Sequence, residues 1–431
     1  MLLTVVHPWP LATGLHELSR DNNDERLNSW AVARVADQLP RDPLHLFEGN
    51  IFHPNPSTLA YSEHLVVPGL IAAPLWWAWA SPILTHNVLV VVGLVLTELA
   101  AFILITRWTG DIWSGLAGGA LLAFNTQLLT RLSHMQILHL FWLPLAILAL
   151  DRWIVGRHPR HAVAVNVCVL YAVVTSGYLG VFVTTAVGAA LLVRKDGWWG
   201  RDRIRGLFWL AASAAGTLVL AVGILWPYQQ LRQQQGFVRP LGDAAARVHH
   251  ATWSAGYYDA AAEALFPGVV ALGLASVCLC SRQRVAPRGV RRMLVSISVA
   301  EFVMSLGPAT PVYVWAYRLL PPLSGLRAVE RFGTLVVFAI ATLAGLRLAS
   351  CSGCNPSIDT DTSRLVSTST RKESAIPRSS QPVHGSLGWP VVAGSGSARG
   401  TVPVARRPRW RHAVDGARRP APGTIPPGSH R

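Results

Sequence analysis

Long apolar runs, rather than apolar residues at a period of 2 or 3.6, dominate residues 1–350 of the chain. A helix that spans a bilayer needs about 20 apolar residues, because the hydrocarbon core is about 30 Å thick and a helix rises about 1.5 Å per residue. The run at 161–193 is too long for one crossing, and Ser176, Gly177 and Tyr178 at its middle predict a tight turn between two short helices. The pattern therefore predicts an all-α, polytopic membrane protein with about nine crossings. The predicted runs are 83–105, 112–129, 136–154, 161–193, 207–226, 265–281, 293–307 and 332–349.

Basic residues between these runs predict the orientation of the crossings, since Arg and Lys accumulate in short cytoplasmic loops. Basic clusters flank the double helix on both sides, at 152–160 and 194–206, so we expect both flanks in the cytoplasm. A third basic cluster at 282–292 fits the same alternation. The external segments are then 130–135, 227–264, 308–331 and everything before residue 83, and the C-terminal tail lies inside.

The segment 65–80 is apolar, although this topology leaves it outside. It has 16 residues, is interrupted by Pro68 and Pro74, and carries a tryptophan cluster of the kind found at membrane interfaces. We expect a juxtamembrane helix that lies on the outer surface. A short spanning helix is the alternative.

Composition supports the membrane class and argues against two others. Apolar residues make up 51% of the chain and charged residues 14%, against about 25% charged in an average soluble domain, which argues against an ordinary soluble enzyme. The net charge of +16 suggests nucleic acid at first sight. Half of it lies in residues 351–431, where 11 Arg and 1 Lys face 4 acidic residues. The other half lies in 1–350, where basic cytoplasmic loops explain it without nucleic acid.

The two ends of the chain differ from this membrane domain at 1–350. Residues 351–431 are rich in Arg, Pro, Gly and Ser and lack apolar periodicity, which predicts a disordered basic tail. A shifted reading frame is the alternative origin of this tail. Residues 1–11 are too short to cross a membrane and lack the basic start of a signal peptide, so we interpret them as the stub of a first transmembrane helix.

Acidic residues open the first external segment. Asp21, Asp24 and Glu25 follow the apolar stub. A carboxylate in this position can act as a general base toward an acceptor hydroxyl, or can hold a divalent cation. The alternative is a solvated acidic loop.

Four further external residues are candidates for substrate binding. Glu63 and His64 begin the expected juxtamembrane helix and would position an acceptor, or bind a metal with Asp24; alternatively, Glu63 is a helix N-terminal carboxylate favoured by the dipole. His134 and Gln136 lie in a predicted tight turn between two helices. A polar pair near the bilayer is costly there unless it is used or bonded.

The later external segments add cationic and aromatic candidates. Arg327 and Arg331 are four residues apart, which predicts one helix face, and a guanidinium binds phosphate in a bidentate manner. Neutralisation by Glu330 and lipid headgroups is the alternative. Tyr257 and Tyr258 suit a sugar or an acceptor, and an interfacial aromatic belt explains them equally well.

Several of these features together resemble one enzyme superfamily. They are the early external acid, a helix with Asn28 and Trp30, the run from DPLHLF through NIFHP to TLAYSEHL at 42–65, and RLSHMQ at 131–136. Over residues 8–348 the chain resembles bacterial GT-C type membrane glycosyltransferases, and in particular a family 39-like group related to protein mannosyltransferases and aminoarabinose transferases. It departs from them in lacking a full first helix, which puts the activity of this chain in question.

The resemblance implies an inner-membrane enzyme that moves a sugar from a polyprenyl-phosphate donor to an acceptor outside. In that superfamily the catalytic carboxylate lies in the first external loop beside two juxtamembrane helices, so Asp24 is the first candidate for the base and Asp21 the second. Its partners would be the donor and membrane lipid, with a divalent cation as a possible cofactor.

Two other functions stay open from sequence. A lipid or solute transporter would place acids inside its helices, where Glu98, Asp151 and Glu301 lie. An inactive, truncated fragment is the other alternative. The chain has no GxxxxGK[ST], GxGxxG, GxSxG or HExxH motif, so nothing in it indicates ATP hydrolysis, nicotinamide chemistry, or serine or zinc hydrolysis.

Overall fold

Each apolar run predicted to cross the membrane contains at least one helix. The computed structural model describes residues 11–16, 23–78, 80–194, 201–236, 240–248, 251–252, 263–281, 286–287 and 289–351. The predicted tail at 352–431 therefore lies outside the described residues. The α-helices of the described part, numbered here in chain order, are α1 Asp24–Gln38, α2 Val66–Trp77, α3 Pro82–Thr109, α4 Ile112–Ala123, α5 Thr126–Leu129, α6 Met135–Leu138, α7 Trp142–Gly156, α8 Pro159–Thr175, α9 Gly177–Val193, α10 Arg201–Gln235, α11 Leu241–Val248, α12 Val269–Cys280, α13 Val290–Ser305, α14 Pro311–Leu319 and α15 Gly333–Cys351.

The regular secondary structure of the described part is helical, apart from two strands of two residues each. These strands, β1 Ala251–Thr252 and β2 Glu263–Ala264, pair in parallel. Four segments are long and apolar enough to cross a bilayer by themselves, while α2, α4, α8, α9 and α12 are shorter apolar helices. The chain is thus a helical, membrane-embedded protein, as its hydropathy predicts. The four long segments are Pro82–Thr109, Met135–Gly156, Ile204–Gln235 and Val329–Ser350.

The predicted turn inside the run at 161–193 is confirmed. Helix α8 ends at Thr175 and α9 begins at Gly177, with Ser176 between them in an extended conformation. The backbone N–H of Tyr178 donates to Ser176 Oγ at 3.2 Å, so the serine caps the new helix. One polar residue therefore both ends α8 and starts α9.

Two predicted spanning runs are each divided. The run at 112–129 forms α4 and the single turn α5, because Asn125 begins a new helix by accepting from the backbone N–H of Leu128 at 3.0 Å. The run at 136–154 forms the short α6 and then α7, with residues 139–141 between them. The segment between α4 and α7, residues 124–141, is therefore longer than the tight turn that the sequence predicts.

Helix α10 is longer than the predicted run at 207–226. It has 35 residues and continues through Pro227 to Gln235. A helix of this length is roughly 50 Å long at 1.5 Å per residue, against a hydrocarbon core of about 30 Å. Its C-terminal part therefore has the length to extend beyond the bilayer into the segment predicted to be external.

Helices α1 and α2 pack tightly on each other. Gly69 of α2 lies against Val35 of α1, where an added Cβ would overlap the valine side chain. The indole N–H of Trp77 donates to the carbonyl oxygen of Ala36 at 3.1 Å. The segment 65–80 is therefore helical over Val66–Trp77 and rests on the helix that carries Asp24.

The buried apolar side chains form two clusters. The larger one joins α3, α4, α7, α8, α9, α13 and α15, and includes Trp153, Phe182 and Phe338. The smaller one joins α1 and α2 to the start of α3 and to residues 128–138. The second cluster therefore supports the first segment that is predicted to be external.

At the ends of α7 and α9 predicted to be cytoplasmic, a buried ion pair joins several helices. Asp151 Oδ1 lies 3.0 Å from Arg194 Nη1, and the indole N–H of Trp108 donates to Asp151 Oδ2 at 3.0 Å. This places one of the three acids expected for a transporter in a structural ion pair.

Candidate functional site

The carboxylate of Asp24 meets the imidazole of His134. Asp24 is the first residue of α1, where the helix dipole favours a negative charge. Its Oδ2 lies 3.1 Å from His134 Nε2, which is within hydrogen-bonding distance. The side chain of Asp24 is 51% exposed and that of His134 is 19% exposed, so the pair is open to an incoming molecule. We call these two residues the acid–histidine pair.

A buried hydrogen bond one turn further along α1 fixes the loop that carries His134. The amide of Asn28 donates through Nδ2 to the carbonyl oxygen of Ser133 at 2.8 Å, and Asn28 is buried. Since Ser133 directly precedes His134, this contact sets the backbone from which the imidazole projects. Asn28 thus supports the pair without being part of it.

A second acid and histidine lie behind this pair. Glu25 Oε1 is 3.7 Å from Nδ1 of His86, which begins the second turn of α3, and both side chains are almost fully buried. The separation is longer than a hydrogen bond, so the contact is electrostatic. The sequence drew attention to Glu25 as an acid but not to His86. The available signal was a histidine near the predicted outer end of an apolar run, where burial is costly without a partner.

Glu63 and His64 do not form the first turn of α2, which begins at Val66. Glu63 Oε2 instead accepts from the backbone N–H of Gly177 at 3.1 Å, so its carboxylate caps α9. Burial raises the pKa of Glu63, while contacts with Ser176 and Gly177 and the charge of Arg331 oppose that shift. The expected dipole interaction is therefore made with a different helix from the one predicted.

His64 is fully buried and contacts two other parts of the chain. Its Nε2 lies 2.8 Å from the carbonyl oxygen of Val173, and its Nδ1 lies 3.0 Å from the hydroxyl of Tyr228. Because a carbonyl oxygen can only accept, the proton of a neutral ring lies on Nε2. Burial lowers the pKa of His64 to about 4, which keeps the ring neutral at pH 7. His64 is thus a packing residue in this structure, held by the hydrogen bond from Nε2 to Val173.

The C-terminal end of α10 binds two other segments predicted to be external. Tyr228 donates its hydroxyl to the carbonyl oxygen of Ser62 at 2.7 Å, and the hydroxyl of Tyr61 lies 2.9 Å from Gln235 Oε1. One turn beyond Tyr228, Arg232 donates to Ser324 Oγ at 2.9 Å. These contacts connect the first and last external segments through α10.

Arg327 and Arg331 do not share a helix face, so that prediction is wrong. Arg327 lies in a bend between the 3₁₀ turns Pro321–Gly325 and Val329–Phe332, and Arg331 lies within the second turn. Arg327 is exposed, whereas Arg331 is buried with its guanidinium carbon 5.6 Å from the ring centroid of Tyr178. The two arginines therefore have different environments and cannot be treated as one cationic patch.

Four predicted site residues remain, and the structure describes one of them, Gln136. Gln136 is buried on α6, and its Oε1 has no hydrogen-bond partner among the described residues. Asp21, Tyr257 and Tyr258 lie outside the described residues. Across the part of the chain that the structure describes, no three His, Cys, Asp or Glu side chains come together in a way suited to a metal ion.

Known proteins offer no relative from which a function could be inferred. No family model, curated protein or solved structure matches the chain.

Proposed function

We propose that this protein is a membrane glycosyltransferase of GT-C type, which moves a sugar from a polyprenyl-phosphate donor to an acceptor at the outer face. The observation that carries the proposal is the acid–histidine pair. A half-exposed carboxylate at a helix N-terminus, held 3.1 Å from an imidazole nitrogen, suits a general base that must receive an acceptor proton. Its position in the first external segment agrees with the motif resemblance.

In the proposed reaction Asp24 accepts the proton of the acceptor hydroxyl as that oxygen bonds to the anomeric carbon of the sugar. The bond between this carbon and the phosphate oxygen breaks, and the polyprenyl phosphate leaves with the electron pair. His134, with Nε2 3.1 Å from Oδ2 of Asp24, orients the carboxylate so that its second oxygen faces the acceptor. The exposed guanidinium of Arg327 stabilises the phosphate charge that develops during departure.

We also infer nine crossings of a bacterial inner membrane, with the acid–histidine pair outside. The support is a consistent pattern of contacts. The pairs Asp24 with His134, Glu63 with Gly177, and Tyr178 with Arg327 each connect two segments that the basic loops independently assign to the outer side. Short helices such as α4 and α12 would cross with their flanking residues in the interfacial region.

A transporter is the second candidate, and one observation favours it. Glu301 is fully buried on α13, and acids within membrane helices often mark ion or proton pathways. Asp151 gives this alternative no support, because it is neutralised by Arg194.

The two candidates differ in a direct assay. The purified full-length protein is incubated with sugar-labelled polyprenyl-phosphate donors and an extract of envelope acceptors. A transferase converts donor to free polyprenyl phosphate while labelled sugar appears in the acceptor fraction. Donor that remains intact in every reaction contradicts the proposal, and uptake of label by proteoliposomes under those conditions would favour the transporter.

A further inference from the structure

One tyrosine connects two segments that are distant in the sequence. Tyr178 is the second residue of α9, and its hydroxyl oxygen accepts from the backbone N–H of Arg327 at 2.8 Å and from that of Ala328 at 3.2 Å. A phenolic oxygen has two lone pairs, so both bonds can form at once. Two consecutive peptide groups are therefore held by a single atom.

The segment held in this way has no regular structure of its own. Leu326, Arg327 and Ala328 lie between two 3₁₀ turns. The N–H of Leu326 closes the first turn by donating to the carbonyl oxygen of Leu323 at 3.1 Å, whereas the N–H groups of Arg327 and Ala328 donate to the tyrosine hydroxyl. An N–H buried without a partner is costly, and Ala328 is buried. The tyrosine hydroxyl satisfies these donors and at the same time fixes the backbone from which the exposed Arg327 side chain projects.

The ring of Tyr178 is itself held on several sides. The buried Arg331 guanidinium lies 5.6 Å from the ring centroid, and the ring of Phe182 packs edge-on at 6.1 Å. The positive charge of Arg331 also acts on Glu63, whose carboxylate caps α9 at Gly177, next to the tyrosine. Arg331 is thus buried beside the tyrosine ring, and Arg327 is the arginine that is exposed.

We propose that Tyr178 is a positioning residue that presents Arg327 to the phosphate of the lipid donor, while Arg331 packs against the tyrosine ring. This inference rests on the proposed function for the identity of the ligand. The mechanical part, that Tyr178 orders residues 327–328, holds whatever the ligand is. The two parts can therefore be tested separately.

The mechanical part is tested by hydrogen exchange on the full-length protein in detergent. Tyr178→Phe keeps the ring and its contact with Arg331 but removes the oxygen that accepts from the two N–H groups. We expect faster exchange in peptides that contain Arg327 and Ala328, with the remaining peptides of α9 unchanged. Tyr171→Phe, on α8 with its ring stacked on Trp142, is the matched control. Equal protection of residues 327–328 in wild type and Tyr178→Phe would overturn the inference.

The ligand part is tested by binding of a polyprenyl phosphate to the same variants. Loss of a charge-assisted hydrogen bond in Arg327→Ala is expected to weaken binding by about tenfold or more, and Tyr178→Phe by a smaller factor. If Tyr178 acts through Arg327, the double variant binds as weakly as Arg327→Ala alone. Additive losses would overturn the positioning role, because Tyr178 would then act independently of Arg327.

Failure of the proposed function gives a different result. If Arg327→Ala binds the polyprenyl phosphate as well as wild type does, Arg327 is not the phosphate ligand and the donor assignment fails. If Arg327→Ala weakens binding and Tyr178→Phe does not, the donor assignment stands and the positioning role fails.

Discussion

His134 Nε2 lies 3.1 Å from Oδ2 of Asp24, so a residue in the loop between α5 and α6 contacts the first residue of α1. The carboxylate is half exposed and the imidazole is mostly covered. This asymmetry gives the two residues different tasks. In the proposed reaction the carboxylate reaches the substrate, and the imidazole orients the carboxylate from behind.

The orienting role of His134 predicts a graded response to substitution. His134→Ala leaves Asp24 without its partner, and we expect the transfer rate to fall by about tenfold to a hundredfold, less than for loss of the base itself. His134→Gln can still donate a hydrogen bond and should recover part of that loss. The measurement is kcat for sugar transfer at saturating donor concentration.

An exposed pair on the same external segment provides the control for that experiment. His45 Nδ1 lies 2.8 Å from Asp42 Oδ2, and both side chains are largely exposed. His45→Ala removes a similar contact away from α1 and should leave kcat unchanged. Equal losses in His45→Ala and His134→Ala would mean that the external segment responds to any disturbance, contrary to a specific role for His134.

The buried Glu25 and His86 predict a loss of stability rather than of chemistry. Removing the carboxylate in Glu25→Ala takes away a buried side chain and its contact with the His86 ring, at a cost of about 1–3 kcal/mol. Asp37→Ala, which breaks the exposed Asp37–Arg41 pair on the same helix, should cost less than about 1 kcal/mol. Thermal unfolding in detergent compares the two variants. Equal unfolding midpoints in the two variants would show that the buried contact stabilises the fold no more than the exposed pair does.

The ion pair between Asp151 and Arg194, at the ends of α7 and α9 predicted to be cytoplasmic, predicts a larger loss of stability than that of Glu25→Ala. Asp151→Asn leaves a buried guanidinium without its counter-charge, which costs about 3–5 kcal/mol in typical buried pairs. The double variant Asp151→Asn with Arg194→Met should regain much of that loss, since the uncompensated charge is gone. A double variant less stable than Asp151→Asn would contradict this account of the pair.

The environment of His64 predicts a dependence of stability on pH. The pKa of this residue is lowered from about 6.5 in the unfolded chain to about 4 in the folded protein. Between those values the unfolded state binds one more proton, so stability falls as the pH is lowered from about 6.5 toward 4. In His64→Gln this contribution is absent, and the unfolding midpoint should decrease less between pH 7 and pH 5 than in wild type. Equal decreases would contradict a neutral, buried His64.

The positions of the helices were predictable because the apolar runs are long and are separated by basic or polar loops. The turn at Ser176 was predictable for the same reason, since a run of 33 residues cannot be one crossing and has polar residues at its centre. The division of α4 from α5 was not predicted, because it depends on one asparagine cap at Asn125. One asparagine hardly changes the mean hydropathy of a long apolar run, so hydropathy does not reveal this helix end.

The candidate site was predictable in part. Charge alternation assigned Asp24 and His134 to the same side of the membrane, but their contact depends on tertiary packing through Asn28 and Ser133. The error at Arg327 had a visible cause, since Pro321, Pro322 and Gly325 stand where a helix reaching Arg327 would begin. Spacing of four residues indicates a shared helix face only after a helix has been established.

The most direct test of the central claim is the rate of sugar transfer by Asp24→Asn. Asparagine keeps the size of the side chain but cannot accept the acceptor proton, so the account predicts a loss of about a hundredfold or more in kcat, with the protein still folded. Asp37→Asn, on the same helix, is the matched control and should retain the wild-type rate. A variant Asp24→Asn that transfers sugar as fast as wild type would contradict the assignment of Asp24 as the base.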